Sequence, residues 1–302
     1  MTVLIIGNAD DIHAVQVKIA LEQTGAVAEY FDTALFPTQS KISLFPNTDE
    51  DFLTLSDGQE LNLKEIQSVY WRTFSGVRVP TLEDVEQRRV AVNDSMSTLR
   101  SLMQSCPARW VNSWQAYQFH QEKPLQLRRA RQIGVSIPAT VITNDPQKVI
   151  EFYSECDRII FKPVYGGVHT KFVTEEHLDL ERLKFALSYS PVTLQEYIPG
   201  TNIRSYVIGE NVYSAEICSP EIDFRLDLNA ELRPQELPEA VKEQCLAITE
   251  GFGMEWTAID WRLKPTGEYI FLEANFSPMF VYFEKQTGFP ITEKLVELLL
   301  QD

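Results

Sequence analysis

The chain has 302 residues, 44% hydrophobic and 23% charged, enough for two or three compact units around substantial cores. Its formal net charge of −16 opposes a broad nucleic-acid or anionic-membrane surface, because both need a positive field. A local anion pocket built from individual lysines and arginines is not excluded.

The opening run Val3 to Ile6 reads as a strand, followed by a helix from about Ile12 to Thr24 and a second strand from Ala28 to Phe31. That is a β-α-β start with a parallel sheet. The loop after strand one has a single glycine, Gly7, so it is no dinucleotide fingerprint. Residues 36–63 are turn-rich and predict a small hairpin or an exposed substrate-facing segment. Ser68 to Thr73 predicts a strand, and a long helix is expected from about Thr81 to Gln104. A second segment starts at Ser113, with one helix from about Ala116 to Gly134 carrying Lys123, Arg128, Arg129 and Arg131. Strands are expected at Pro138–Thr143, Arg158–Val164 and Thr193–Ile198, with a helix start at Asn144-Asp145-Pro146. Ile203–Ile208 and Val212–Ile217 alternate around a turn and predict an antiparallel pair. An amphipathic helix from Ile291 to Leu300 closes the chain.

No apolar run reaches membrane-spanning length, and the N-terminus lacks a basic segment and a small-residue cleavage site. Cys106, Cys156, Cys218 and Cys245 have neither metal-ligand nor redox spacing, so reduced thiols in a cytoplasmic protein are expected.

The chemistry concentrates between Asp260 and Asn275. Two strands joined at Pro265-Thr266-Gly267 bring Asp260 alongside Glu273 and Asn275, which share a face because they are two apart. Two carboxylates and an amide oxygen suit Mg²⁺; solvated acids on an ordinary hairpin are the alternative. Lys123 on its helix reads as a solvated charge. Lys162 interrupts an apolar strand and needs an exposed face or an anionic partner. Gly166-Gly167 is a plain turn or a phosphate-approaching loop. Gln195-Glu196-Tyr197-Ile198 is a surface-alternating strand or a hinge whose backbone reads an adenine edge. Arg204 is a charge on an apolar strand pair, and Arg225 is little constrained by its neighbours.

In this order the residues resemble the ATP-grasp superfamily of carboxylate–amine ligases over about residues 113–302. Val69-Tyr-Trp-Arg-Thr73, the Ile222–Asp227 run and Phe271–Asn275 with Tyr282–Ile291 are most similar to the graspetide, or microviridin-type, peptide maturases. The chain departs from them at Phe276–Val281 and by carrying one arginine, Arg72, where a pair is common.

The resemblance implies an α/β protein, α+β in its C-terminal half: an N-terminal pre-ATP-grasp domain (1–112), a central small lobe (113–195) and a C-terminal lobe with the metal site (196–302). It implies ATP and Mg²⁺, with Lys123, Lys162, Gly166, Gly167 and Gln195–Ile198 on the nucleotide and Asp260, Glu273 and Asn275 on the metal. Arg204 would face the transferring phosphoryl group. Arg225 and Arg72 would hold the substrate carboxylate. A carboxylate would be activated as an acyl phosphate and joined to a hydroxyl or amine, forming ester or amide crosslinks in a ribosomally made precursor peptide. A RimK- or glutathione-synthetase-like ligase of amino acids or small peptides, and a non-catalytic ATP-binding protein, are the alternatives. A homodimer is a family-based expectation; nucleic-acid and membrane partners are not expected.

Overall fold

A computed structural model describes residues 1–48, 50–165, 170–219, 221, 224–227 and 229–301, without the side chain of Arg225. They form two units, one of Met1–Ala116, Met254–Trp256 and Ser277–Asp302, the other of Tyr117–Gly253 and Thr257–Phe276.

In the first unit, β1 (Thr2–Ile6), α1 (Ile12–Gln23) and β2 (Val27–Phe31) make the expected opening. The turn-rich stretch folds as a small antiparallel sheet of β3 (Lys41–Ser43), β4 (Phe52–Thr54) and β5 (Glu60–Asn62). Next come β6 (Ile66–Trp71), α2 (Val85–Ser105) and β7 (Arg109–Val111). The main sheet runs β2-β1-β6-β7, all parallel. Val3 to Ile6 are wholly buried, as a parallel strand covered on both faces requires. Helix α2 starts later than expected because the Asp84 carboxylate accepts the N–H groups of Glu86 and Gln87 and so fixes the N-cap.

The second unit, from Tyr117 on, takes in most of α3 (Trp114–Gln121) and all of α4 (Lys123–Gln132), where a single helix was expected. Pro124 lies in the first turn of α4; it lacks an N–H and disfavours helical backbone before it, so the chain breaks at Glu122. Beyond them lie β8 (Thr140–Thr143), α5 (Pro146–Glu155), β9 (Ile159–Pro163), β10 (Lys171–Phe172), α6 (Leu180–Tyr189) and β11 (Val192–Glu196). These strands form an antiparallel sheet, β10-β9-β11-β8. Val149 and Phe152 of α5 and Leu187 of α6 pack on Ile159 and Leu194 beneath it.

A second sheet of this unit uses β12 (Thr201–Ile208), β13 (Asn211–Cys218), β14 (Glu231–Pro234), β15 (Trp256–Leu263) and β16 (Tyr269–Asn275), in the order β14-β13-β12-β15-β16. Helix α7 (Glu239–Gly251) buries Val241, Cys245 and Ile248. The chain ends in the first unit with α8 (Val281–Thr287) and α9 (Ile291–Leu299), whose apolar face of Ile291, Leu295, Val296, Leu298 and Leu299 is buried. Among the described residues no helix is long and apolar enough to cross a membrane.

Candidate active site

The β15–β16 hairpin carries the core of the site. Asp260 pairs across the ladder with Glu273, and Ala258 with Asn275. The register shifts after Asp260, so that Trp261 opposes Phe271. Such a bulge re-aims neighbouring side chains. Arg204, on the adjacent β12, donates from Nε to Asp260 Oδ1 at 2.7 Å and from Nη2 to Oδ2 at 2.8 Å. Asn275 Nδ2 donates to Asp260 Oδ2 at 3.2 Å. Burial alone would lower the pKa of Arg204, but the charge and hydrogen bonds of Asp260 outweigh it and raise the pKa.

Glu273 is held from the helical side. Its carboxylate lies 3.2 Å from Lys123 Nζ, and Lys123 is the first residue of α4, so the break at Glu122 puts the lysine at a helix start. Burial would raise the Glu273 pKa; the charges of Lys123, Lys162 and Arg204 instead bring it down to about 2. The carboxylate is therefore ionised across the working pH range.

Two residues that the sequence did not single out fix this strand. β16 is the sheet edge, and its outward backbone groups need partners. Gln126, one turn beyond Lys123, accepts the Ala274 N–H at 3.0 Å and donates to the Ala274 carbonyl at 3.1 Å. His120 Nδ1 sits 3.2 Å from the same carbonyl. Burial, then the charge of Lys123, lower the His120 pKa to about 4.

Lys162 on β9 donates to Gln195 Oε1 at 3.3 Å, and Gln195 Nε2 donates to Thr140 Oγ1 at 3.0 Å. Lys123, Lys162, Thr193, Ile142, Leu272 and Glu273 line one cleft. Its apolar and cationic walls suit a flat ring with an anionic tail. Beyond Gln195, Glu196 accepts the Ala139 N–H on its carboxylate at 3.2 Å. The Tyr197 ring packs edge-on against Phe172 with centroids 5.1 Å apart, and Ile198 is buried.

Of the other sequence candidates, Arg72 lies in the first unit. Its Nε is 3.0 Å from Asp11 Oδ2, and its Nη1 donates to the Ser277 carbonyl at 2.7 Å and hydroxyl at 3.0 Å. Gly166, Gly167 and the side chain of Arg225 fall outside the described residues.

Asp260, Glu273 and Asn275 offer two carboxylate oxygens and an amide oxygen on facing strands. No group of three or more histidine, cysteine or acidic side chains suited to a metal occurs among the described residues. This hard-oxygen set fits Mg²⁺ better than a softer ion, because Mg²⁺ commonly takes one or two carboxylates and fills its shell with phosphate and water.

Residues 2–118 match the MvdD pre-ATP grasp domain and residues 120–299 the RimK-like ATP-grasp domain. Among solved structures, macrocyclase MdnC bound with precursor peptide MdnA, from Microcystis aeruginosa MRC, is similar over 100% of both chains, with 31% identity and a TM-score of 0.88. The ATP-grasp ligase PsnB complexed with minimal precursor is similar over 99% of this chain and 98% of that one, with 30% identity and a TM-score of 0.86. A probable alpha-L-glutamate ligase 1 of Shewanella oneidensis is 26% identical over 224 residues, a match spanning 69% of this chain and 66% of that relative's length.

Proposed function

The chain belongs to the RimK-like ATP-grasp domain family, and from that premise we propose that it is an ADP-forming ligase that closes ester or amide crosslinks in a ribosomally made precursor peptide. The observation that carries the chemistry is the convergence of Lys123, Lys162 and Arg204 on the Asp260–Glu273 pair. Phosphoryl transfer asks mainly for positioning and charge neutralisation, and these residues supply both. The peptide substrate is suggested by MdnC and PsnB, both solved with their precursors.

In this reading Lys123 and Lys162 take the nucleotide phosphates, and the hinge Gln195–Ile198 takes the base. Asp260, Glu273 and Asn275 would hold Mg²⁺, which when bound supplies charge neutralisation at the β- and γ-phosphates. A side-chain carboxylate oxygen of the substrate attacks the γ-phosphorus, forming an acyl phosphate as the bond to ADP breaks. Arg204 stabilises charge on the transferring group, and Arg225 orients the carboxylate. A hydroxyl or amine then attacks the acyl carbon, phosphate leaves, and the nucleophile's proton passes to the departing phosphate. We also assign the boundaries 1–112, 113–195 and 196–302 to the pre-grasp domain and the two grasp lobes.

The test is incubation with ATP, Mg²⁺ and the peptide encoded beside the gene. The expected result is loss of one water per bond formed and one ADP per bond. ADP release with an unchanged peptide overturns the proposal. A second reading, glutamate ligation to a free amino acid or peptide, is favoured by the alpha-L-glutamate ligase relatives. Glutamate-dependent ADP release without the precursor would select it.

A further inference from the structure

The hinge strand β11 is held on both sides as far as Tyr197. Gln195 and Glu196 pair with Ile160 and Ile159, Glu196 N–H donates to the Ala139 carbonyl at 2.9 Å, and Tyr197 N–H donates to the Arg158 carbonyl at 2.9 Å. After Tyr197 the chain leaves the sheet. Ile198 N–H has no backbone acceptor among the described residues, and Pro199 has no N–H to give.

One side chain takes over there. Arg262 lies on β15, two residues past Asp260 and on the same face. Its Nε donates to the Ile198 carbonyl at 3.0 Å, its Nη2 to the Gly200 carbonyl at 2.6 Å, and its Nη1 to Asn202 Oδ1 at 2.8 Å. The guanidinium also stands 5.8 Å from the centre of the Tyr197 ring, whose other contacts include Arg158 at 4.8 Å. The fork thus reads two carbonyls of one short loop and the side-chain amide of Asn202 on β12, a fixed planar geometry that lysine cannot reproduce. The loop has little freedom to respond otherwise. Gly200 has φ of +135°, and a Cβ there would sit 1.9 Å from the Leu263 carbonyl oxygen, so the backbone lies flush against the end of β15.

β15 and β12 therefore exchange two pairs side by side. Asp260 holds Arg204 at the phosphoryl end, and Arg262 holds Asn202 and the hinge at the other. We propose that Arg262 is a positioning residue that holds the hinge backbone just after the Ile198 N–H and thereby sets the enzyme's preference for adenine over guanine nucleotides. This rests on the reading that the Gln195–Ile198 hinge receives the base. Adenine presents an acceptor at N1, which a fixed N–H can meet, whereas guanine presents a donor there. A site that hydrogen-bonds one edge rejects the other because a buried polar group is left unpaired. Discrimination of this kind needs a fixed N–H, and the peptide unit that carries the Ile198 N–H is bracketed by two held groups, the Tyr197 N–H on the Arg158 carbonyl before it and the Ile198 carbonyl on Arg262 after it.

The experiment compares wild type, Arg262→Lys and Asn202→Ala, using fluorescence titrations with mant-ADP and mant-GDP and steady-state kinetics with ATP and GTP. Melting temperatures control for folding. Wild type is expected to favour the adenine nucleotide. Arg262→Lys should shrink that preference about tenfold and raise the KM for ATP more than it lowers kcat, the scale of one hydrogen bond to a charged group. Asn202→Ala should shift the ratio in the same direction by less. A base preference unchanged in both variants, even with lowered melting temperatures, overturns the assignment and leaves Arg262 a structural residue. A wild type that binds mant-ADP and mant-GDP equally overturns the hinge premise together with the assignment. A wild type that binds neither points to failure of the nucleotide reading itself.

Discussion

The side-chain amide of Gln126 pairs with both backbone groups of Ala274, accepting its N–H at 3.0 Å and donating to its carbonyl at 3.1 Å. Ala274 is the residue between Glu273 and Asn275, so one turn of α4 fixes both Lys123 and the strand that Lys123 faces. Gln126→Leu removes both bonds in a site where Gln126 is 1% exposed. The expected loss is about 2–3 kcal/mol of stability, because a buried backbone N–H is left unpaired. Gln126→Glu keeps the acceptor but loses the donor to the carbonyl, so it should also be destabilised. Denaturant unfolding of both variants decides this; a Gln126→Leu midpoint equal to wild type contradicts it.

Arg204 and Asp260 form a two-bond pair, and each has a second task in the proposed chemistry. Arg204→Lys keeps a charge but cannot reproduce the fork. The expected outcome is a kcat lowered by about 10²–10³, the usual scale for removing one charge-stabilising group. Asp260→Asn should lose activity at least as strongly, since it weakens both the pair and the oxygen set with Glu273 and Asn275. Nucleotide-release kinetics at saturating ATP measure both. If Asp260→Asn retained wild-type ADP production, the assignment of this face to Mg²⁺ and phosphate would be wrong.

The hairpin was the most legible part of the site. Glu273 and Asn275 share a face by strand period, and Gly267, at φ +88°, marks the turn. The register shift after Asp260 was not legible, because a bulge leaves no mark in alternation. One helix was expected from about Ala116 to Gly134, and the break before α4 comes from Pro124 in its first turn. Gln126 and Arg262 escaped for a physical reason. A polar side chain on a helix or strand looks solvated until its partner is known, and their partners lie 148 and 64 residues away. Arg72 was visible as a charge ending an apolar strand; its ion pair with Asp11 was not. Helices α6, α7 and α8 have no counterpart among the expected elements.

His13 on α1 is 6% exposed, and its Nδ1 accepts the N–H groups of Phe280 and Val281, each at 3.2 Å, at the start of α8. Burial, then the charge of Arg72, lower its pKa from 6.5 to about 4, with Asp11 opposing. The unfolded chain therefore binds a proton that the folded chain refuses between those values. The resulting stability is fully present above about pH 6.5 and is lost as pH falls towards about 4. His13→Gln should flatten the dependence of unfolding free energy on pH in that window, while lowering stability at neutral pH through the changed cap. An unchanged slope would show that His13 is not the titrating group.

Glu273 gives the opposite end of the pH scale. Burial would raise its pKa, but Lys123 and Lys162 lower it from 4.5 to about 2. A depressed carboxylate contributes stability above its unfolded pKa and loses it as pH falls from about 4.5 towards about 2. Lys123→Met removes the lysine 3.2 Å away and the largest of the lowering charges, so this acid-side slope should become shallower. The same variant should weaken nucleotide binding at neutral pH. Acid unfolding monitored by near-ultraviolet circular dichroism, paired with mant-ADP titration at neutral pH, separates the two effects. A weakened nucleotide affinity with an unchanged acid slope would mean that Lys123 serves the phosphates without governing the protonation of Glu273.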